Sequence, residues 1–180
     1  MPGFLVLAAV ALAVAYLAVR AARSYFAMRG TRVVTCPENH QKAGVAVGAG
    51  RAVLTGLYRA PELRLESCTR WPERQGCGQA CLSEVAAAGE GCLVRHILTR
   101  WYEGKNCAYC GQPIGEIDWA ARKPALMTPA RISIEWAQVP AERLDEVLAT
   151  HQAVCFTCHV TNTFAREHPE LIVDRTARHA

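Results

Sequence analysis

Two short cysteine pairs in the second half of the chain restrict its possible folds more than any other feature. The pairs are Cys107-Ala-Tyr-Cys110, which Gly111 follows, and Cys155-Phe-Thr-Cys158. A Cys-x-x-Cys turn places two thiolates on one side of a tight loop, and Gly111 suits the positive-φ position that such a turn needs. Two pairs together supply four sulfurs in the tetrahedral arrangement that Zn²⁺ prefers. We therefore predict that the four cysteines bind one metal ion, with zinc as the expected metal.

Iron is the alternative metal, because four thiolates also bind a rubredoxin-type iron or an iron–sulfur cluster. A haem is a second alternative, since Cys155-Phe-Thr-Cys158-His159 matches the attachment pattern of c-type haem. The two thiols would then bond the haem vinyl groups and His159 would ligate the iron. The first pair has no such histidine and is better explained as a partner of the second. In the zinc interpretation His159 begins the last helix, 159–167, and is only an alternative ligand.

The segment Cys107-Ala-Tyr-Cys110-Gly111 resembles a zinc ribbon or a rubredoxin, and the resemblance covers about eight residues. It implies hairpin strands on both sides of the turn, at 101–106 and 113–119. A thioredoxin-type redox site is a further possibility for a single pair, but neither pair has a βαβ pattern around it.

The two pairs are separated by 44 residues, far more than the 15–20 of a compact two-turn site. We expect the additional length to form a loop at 120–130, a strand and a helix. In the strand, Ile132, Ile134 and Trp136 should face one way. The helix should contain Pro140 in its first turn, where proline is well tolerated, followed by an apolar face. That face consists of Leu144, Val147 and Leu148.

Five further cysteines precede residue 100, and four of them could form a second metal site. The expected ligands are Cys36, Cys68, Cys77 and Cys81, whose 31, 8 and 3 intervening residues match no standard zinc finger. Cys92 could replace Cys36, and His40 is another alternative ligand because it follows Cys36 at a Cys-x-x-x-His spacing. The competing interpretation is that several of these are ordinary buried cysteines, which are common.

Residues 31–100 alternate between apolar and small or polar side chains over short stretches, which predicts antiparallel strands. These stretches lie at 31–34, around Val45 and Val47, at 53–54 and around Leu65. From 92 to 102 the spacing of apolar residues instead predicts a helix. His96 falls on the opposite side of that helix, where we expect it to be solvated.

The N-terminal segment contains no charged residue from Phe4 to Val19. Nineteen helical residues reach about 28 Å, close to the thickness of the hydrocarbon core of a bilayer. Arg20, Arg23 and Arg29 follow the segment, which by the positive-inside rule predicts a single-pass anchor with the C-terminal region in the cytoplasm. A cleaved signal peptide and a buried core helix are the alternatives; the basic residues that open a signal peptide are missing here.

The formal charge of +4 arises mainly from this N-terminal segment. Three of the 20 basic residues lie in the first thirty positions, which leaves 17 against 16 acidic residues in the rest of the chain. A nearly neutral region has no electrostatic footprint for nucleic acid. The sequence also contains no Gly-rich phosphate loop and no convincing Ser-His-Asp set, so we expect neither enzymatic activity nor a small-molecule substrate.

These observations predict an α+β protein in three parts: an anchor with a basic segment at 1–30, a first cysteine-rich lobe at 31–100 and a second, zinc-ribbon-like lobe at 101–180. The expected function is that of a structural or adaptor protein, bound to the cell membrane, whose partners are the lipid bilayer and another protein. The alternative is a membrane-bound electron carrier that uses thiolate-bound iron or a c-type haem at Cys155, Cys158 and His159.

Overall fold

The computed structural model describes residues 2–56, 59–74 and 76–172, and the chain divides into two compact units, Met1–Ile97 and Leu98–Ala180. Both helices and small antiparallel sheets are present, as the sequence predicted. The helices of the first unit are α1 (Pro2–Met28), α2 (Ala49–Gly56) and α3 (Leu82–Ala88), and its strands are β1 (Thr31–Thr35), β2 (Lys42–Val47) and β3 (Leu65–Cys68). Helix α4 (Val94–Tyr102) spans the division between the units. The second unit also contains strands β4 (Ala125–Met127), β5 (Ser133–Ile134) and β6 (Gln152–Val154) and helices α5 (Leu144–Thr150) and α6 (Phe156–Glu167).

Helix α1 is the candidate for a membrane span. Its stretch Leu5–Met28 has a mean hydropathy of 2.3 over its apolar window, and none of that window is buried in the structure. Length and composition are therefore sufficient for crossing a bilayer, and a signal sequence would meet the same criteria.

The C-terminal end of α1 is capped by a buried arginine from the next strand. Gly30 has a φ of 123°, and an added Cβ would lie 3.0 Å from Leu93, so glycine is needed to turn the chain there. Arg32, only 1% exposed, donates from Nη1 to the Met28 carbonyl at 2.6 Å and from Nη2 to the Ala27 carbonyl at 3.0 Å. A cation at this end of a helix satisfies its free carbonyls and complements the helix dipole.

The sheet of the first unit has the order β1-β2-β3, with antiparallel neighbours. Its buried face packs against α3 through Val34, Val45, Leu65 and Val85. The Glu84 carboxylate of α3 also accepts a hydrogen bond from the backbone N–H of Thr35, the last residue of β1, at 2.8 Å. This sheet, with the loop before α3, positions the first group of cysteines.

The sheet of the second unit has the order β5-β4-β6, also antiparallel. Its core beneath the cysteine pairs contains Ala125, Met127 and Val154. Tyr102 is buried beside it, donates to the Ala125 carbonyl at 2.7 Å and accepts from Trp136 Nε1 at 3.0 Å.

Some predictions of the type or position of an element were wrong. Residues 53–54 lie in α2 rather than in a strand, and the expected loop at 120–130 contains β4. In place of the hairpin strands at 101–106 and 113–119, α4 extends to Tyr102 and a single bridge joins Asn106 to Pro113. The last helix begins at Phe156, three residues before the expected start.

In the strand predicted around Ile132, Ile134 and Trp136 are half-buried, but Ile132 does not share their environment. Ser133 is 3% exposed, whereas Ile132 is 46% exposed. The polar residue lies inside because its hydroxyl contacts a buried histidine of α6, described below. Alternation of apolar residues cannot reveal such a pairing between distant elements.

Candidate metal centre

The two Cys-x-x-Cys pairs come together as predicted. The sulfurs of Cys107, Cys110, Cys155 and Cys158 all lie within 4.8 Å of one another, and Cys110 Sγ is 4.0 Å from Cys155 Sγ. A tetrahedral Zn²⁺ with Zn–S bonds of 2.3 Å requires sulfur–sulfur distances of about 3.8 Å. The donor set and its spacing therefore fit a thiolate-binding metal ion, without identifying which metal it is.

The first pair is held by a tight turn. The Cys107 N–H donates to the Gln112 carbonyl and the Gly111 N–H donates to the Cys107 carbonyl, each at 2.8 Å. Gly111 has a φ of 70°, as its position after the second cysteine predicted. The Ala108 N–H donates to Ala153 of β6 at 2.8 Å, so the turn is tied directly to the strand that leads to the second pair.

The second pair opens α6. Cys155 follows β6 and is the N-cap of the helix, and its sulfur accepts from the Cys158 N–H at 3.5 Å. Its own N–H points to Cys107 Sγ at 3.3 Å. Short polar side chains are the usual N-caps, and a cysteine takes that place here. The strand and the helix thus determine the positions of both thiols of this pair.

The thiols of Cys107, Cys155 and Cys158 differ in acidity. Burial acts to raise the pKa of Cys107, but hydrogen bonds to its sulfur from the backbone N–H groups of Cys155, Cys110 and Tyr109 have the larger effect. The pKa of Cys107 is therefore lowered to about 6. Burial, reinforced by neighbouring sulfurs, raises the pKa of Cys158, and burial likewise raises that of Cys155. The protein without metal therefore stabilises one negative charge at Cys107 and keeps these two neighbours protonated near neutral pH.

His159 belongs to a different contact. Its ring is 8% exposed, with Nδ1 at 3.1 Å from Ser133 Oγ and Nε2 at 3.6 Å from a Glu135 carboxylate oxygen. Both ring nitrogens thus face the β5 region rather than the four sulfurs. This arrangement favours four thiolates over the Cys-x-x-Cys-His interpretation, in which His159 would ligate iron.

The predicted ligands of the first unit lie close together but do not form an equally tight group. Among the described residues, one group of potential ligands has atoms that all lie within 4.8 Å of one another, and it consists of Cys107, Cys110, Cys155 and Cys158. Cys36, Cys68, Cys77 and Cys81 line one cavity of about 50 Å³. Neither alternative ligand, Cys92 or His40, is among the residues that line it.

Sequence reasoning missed one residue beside this cavity. Arg70 Nη1 donates to Cys36 Sγ at 2.7 Å. No spacing rule associates an arginine with a cysteine 34 positions away; only its place two residues after Cys68 could have suggested it.

No protein-family model, curated protein or solved structure matches this chain.

Proposed function

We propose that this protein is a membrane-anchored, cytoplasmic zinc-binding module that acts as a structural or adaptor protein in a membrane-associated assembly. The four-cysteine group carries the proposal. Four-thiolate zinc sites are coordinatively closed and leave no position for a substrate or an activated water. Such a site stabilises a small fold, which suits a binding module better than an enzyme.

The anchor would be α1, whose apolar stretch Leu5–Met28 is long enough to span a bilayer. Arg20, Arg23 and Arg29 all follow the uncharged segment. Under the positive-inside rule this charge distribution favours a cytoplasmic location for the chain that follows α1. A reducing compartment also agrees with nine unpaired cysteines.

The surface for a protein partner would lie on α6, the helix that begins at the second cysteine pair. Phe156, Val160 and Phe164 are spaced at four-residue intervals and are 39%, 48% and 45% exposed. Residues at this spacing share one helix face. An apolar face next to a rigid metal site suits docking to the apolar surface of a protein held at the same membrane.

Affinity purification from membranes tests the adaptor proposal. We expect a defined partner to co-purify with the wild-type chain and to be lost with Val160→Asp. Thr161→Asp introduces the same charge at the adjacent exposed position and should retain the partner. Both variants should keep the wild-type metal content, which shows that the second unit is intact. Retention of the partner by Val160→Asp, or recovery of only a second copy of this chain, would overturn the proposal.

Electron transfer is the second candidate, and the exposure of Cys110 favours it. An iron bound here would have one thiolate at the surface, where electrons could be exchanged with a partner. Zinc thiolates are colourless, whereas rubredoxin-type iron and iron–sulfur clusters absorb visible light. Elemental analysis and a visible spectrum of anaerobically purified protein distinguish the candidates: a red or brown protein that bleaches with dithionite supports the carrier.

A further inference from the structure

The turn after β1 has the same backbone geometry as the metal-binding turn that begins at Cys107. The Cys36 N–H donates to the Gln41 carbonyl and the His40 N–H donates to the Cys36 carbonyl, each at 2.8 Å. The corresponding bonds at Cys107 join residues at the same offsets and have the same lengths. The fifth residue has a positive φ in both turns, 57° at His40 and 70° at Gly111.

The sulfur of Cys36 is also placed like that of Cys107. Backbone N–H groups two and three residues later, at Glu38 and Asn39, bond to it, and the same offsets supply N–H groups to Cys107. Such N–H groups stabilise a thiolate, which is the form that binds metal. Asn39 occupies the position of the second cysteine, so this turn supplies only one sulfur.

Three further cysteines line the same cavity, from β3 and from the loop before α3. Cys68 ends β3, which pairs with β2, and Cys81 stands immediately before α3. The loop with Cys77 and Cys81 is fastened to β3 because the Gln79 side chain accepts the Leu65 N–H at 3.0 Å. The cavity that they line with Cys36, about 50 Å³, suits one ion and is much smaller than a pocket for an organic ligand.

A cation lies beside this group. Arg70 Nη1 is 2.7 Å from Cys36 Sγ, and Glu38 lies 3.8 Å from the same guanidinium nitrogen. Four thiolates around a divalent ion carry excess negative charge, and a guanidinium hydrogen-bonded to one sulfur offsets part of it.

We propose that Cys36, Cys68, Cys77 and Cys81 bind a second metal ion of the thiolate-preferring class, Zn²⁺ or Fe²⁺, and that Arg70 is a positioning residue that holds the Cys36 thiolate. Binding draws the four sulfurs from the cavity wall to tetrahedral spacing. The proposal goes beyond the adaptor function and does not depend on it.

Cys92 is the matched control, because it is a buried cysteine of the same unit outside the cavity. It is 7% exposed, and its sulfur contacts the Gly89 carbonyl at 3.4 Å.

Metal stoichiometry of the full chain, purified anaerobically in detergent, tests the site. We expect two equivalents per chain for the wild type and for Cys92→Ser, and one for Cys36→Ser and for Cys81→Ser. The ion retained in the second unit shows that this unit is intact in those variants, Cys92→Ser controls for the loss of a buried cysteine from the first unit, and Cys110→Ser should lose the other equivalent. One equivalent in the wild type, or disulfides among the four first-unit cysteines, would overturn the proposal.

The role of Arg70 has a separate test that leaves all sulfurs in place. Arg70→Gln should retain two equivalents but bind one of them about tenfold more weakly in competition with a chelator, the lower end of the range for an outer-shell partner. Arg74→Gln is the control, since Arg74 lines the cavity but pairs with Glu38 at 2.9 Å. Equal affinity in Arg70→Gln and wild type would refute the assignment of Arg70.

Discussion

Single thiols determine how the candidate metal centre in the second unit responds to pH. Cys107 has a pKa of about 6, against 9.0 for an unperturbed thiol, whereas the pKa values of Cys155 and Cys158 are raised. Because the folded-state pKa of Cys107 is depressed, its contribution to stability is complete above the unfolded pKa. That contribution is lost as the pH falls through about 6.

We therefore expect metal binding near neutral pH to release at least two protons, from Cys155 and Cys158, because metal binds only the thiolates. Between pH 6.5 and 7.5 the affinity should rise by about a hundredfold, or tenfold for each proton released. Chelator competition at several pH values measures this slope, with Cys36→Ser as background so that only the second unit contributes. A change below tenfold would show that the two thiols are already ionised without metal.

At the scale of single elements, the junction between α1 and β1 depends on Arg32. Its guanidinium caps the Met28 and Ala27 carbonyls while the side chain is 1% exposed. The C-terminal turn of a helix has carbonyls without intrahelical partners, and here a residue of the following strand satisfies two of them.

Arg32→Met should weaken this junction by about 1–3 kcal/mol, because buried carbonyls lose charged hydrogen-bond partners. Hydrogen–deuterium exchange should increase in peptides covering the end of α1 and β1, and remain unchanged in those covering β4 to β6. Arg29→Met removes an exposed arginine near the same helix end and serves as the control. Equal protection in Arg32→Met and wild type would mean that the cap contributes nothing measurable.

At the scale of the whole molecule, the proposal places the uncharged stretch Phe4 to Val19 of α1 in the bilayer and the cysteine-rich remainder of the chain in the cytoplasm. Only α1, among the described residues, is long and apolar enough to cross a membrane. The orientation then depends on the three arginines that follow the uncharged segment.

Reporter fusions at the C-terminus test this orientation. We expect a fluorescent-protein fusion to be bright and membrane-associated and an alkaline phosphatase fusion to be inactive, because that enzyme requires an oxidising compartment for its disulfides. The reverse result would place the cysteines outside, where disulfides or haem would have to be considered. Release of a soluble, shortened chain would instead identify α1 as a cleaved signal sequence.

The sequence alone was sufficient for the features that depend on neighbours along the chain. The Cys-x-x-Cys turns, the positive φ at Gly111, the apolar length of α1 and the periodicity of α4 all follow from interactions within a few residues. The meeting of the two cysteine pairs was also predictable, since metal chemistry calls for four ligands and each pair offers two.

Only the tertiary structure decided which distant groups meet. His159 contacts Ser133, and this pairing accompanies the burial of a serine where alternation predicted that the neighbouring Ile132 would be inside. Arg70 contacts Cys36, 34 positions away in the sequence. Cys36 lines the cavity and Cys92 does not, which favours Cys36 as the candidate ligand. Such contacts depend on how strands and loops fold back over the sheet, and local patterns carry no information about that path.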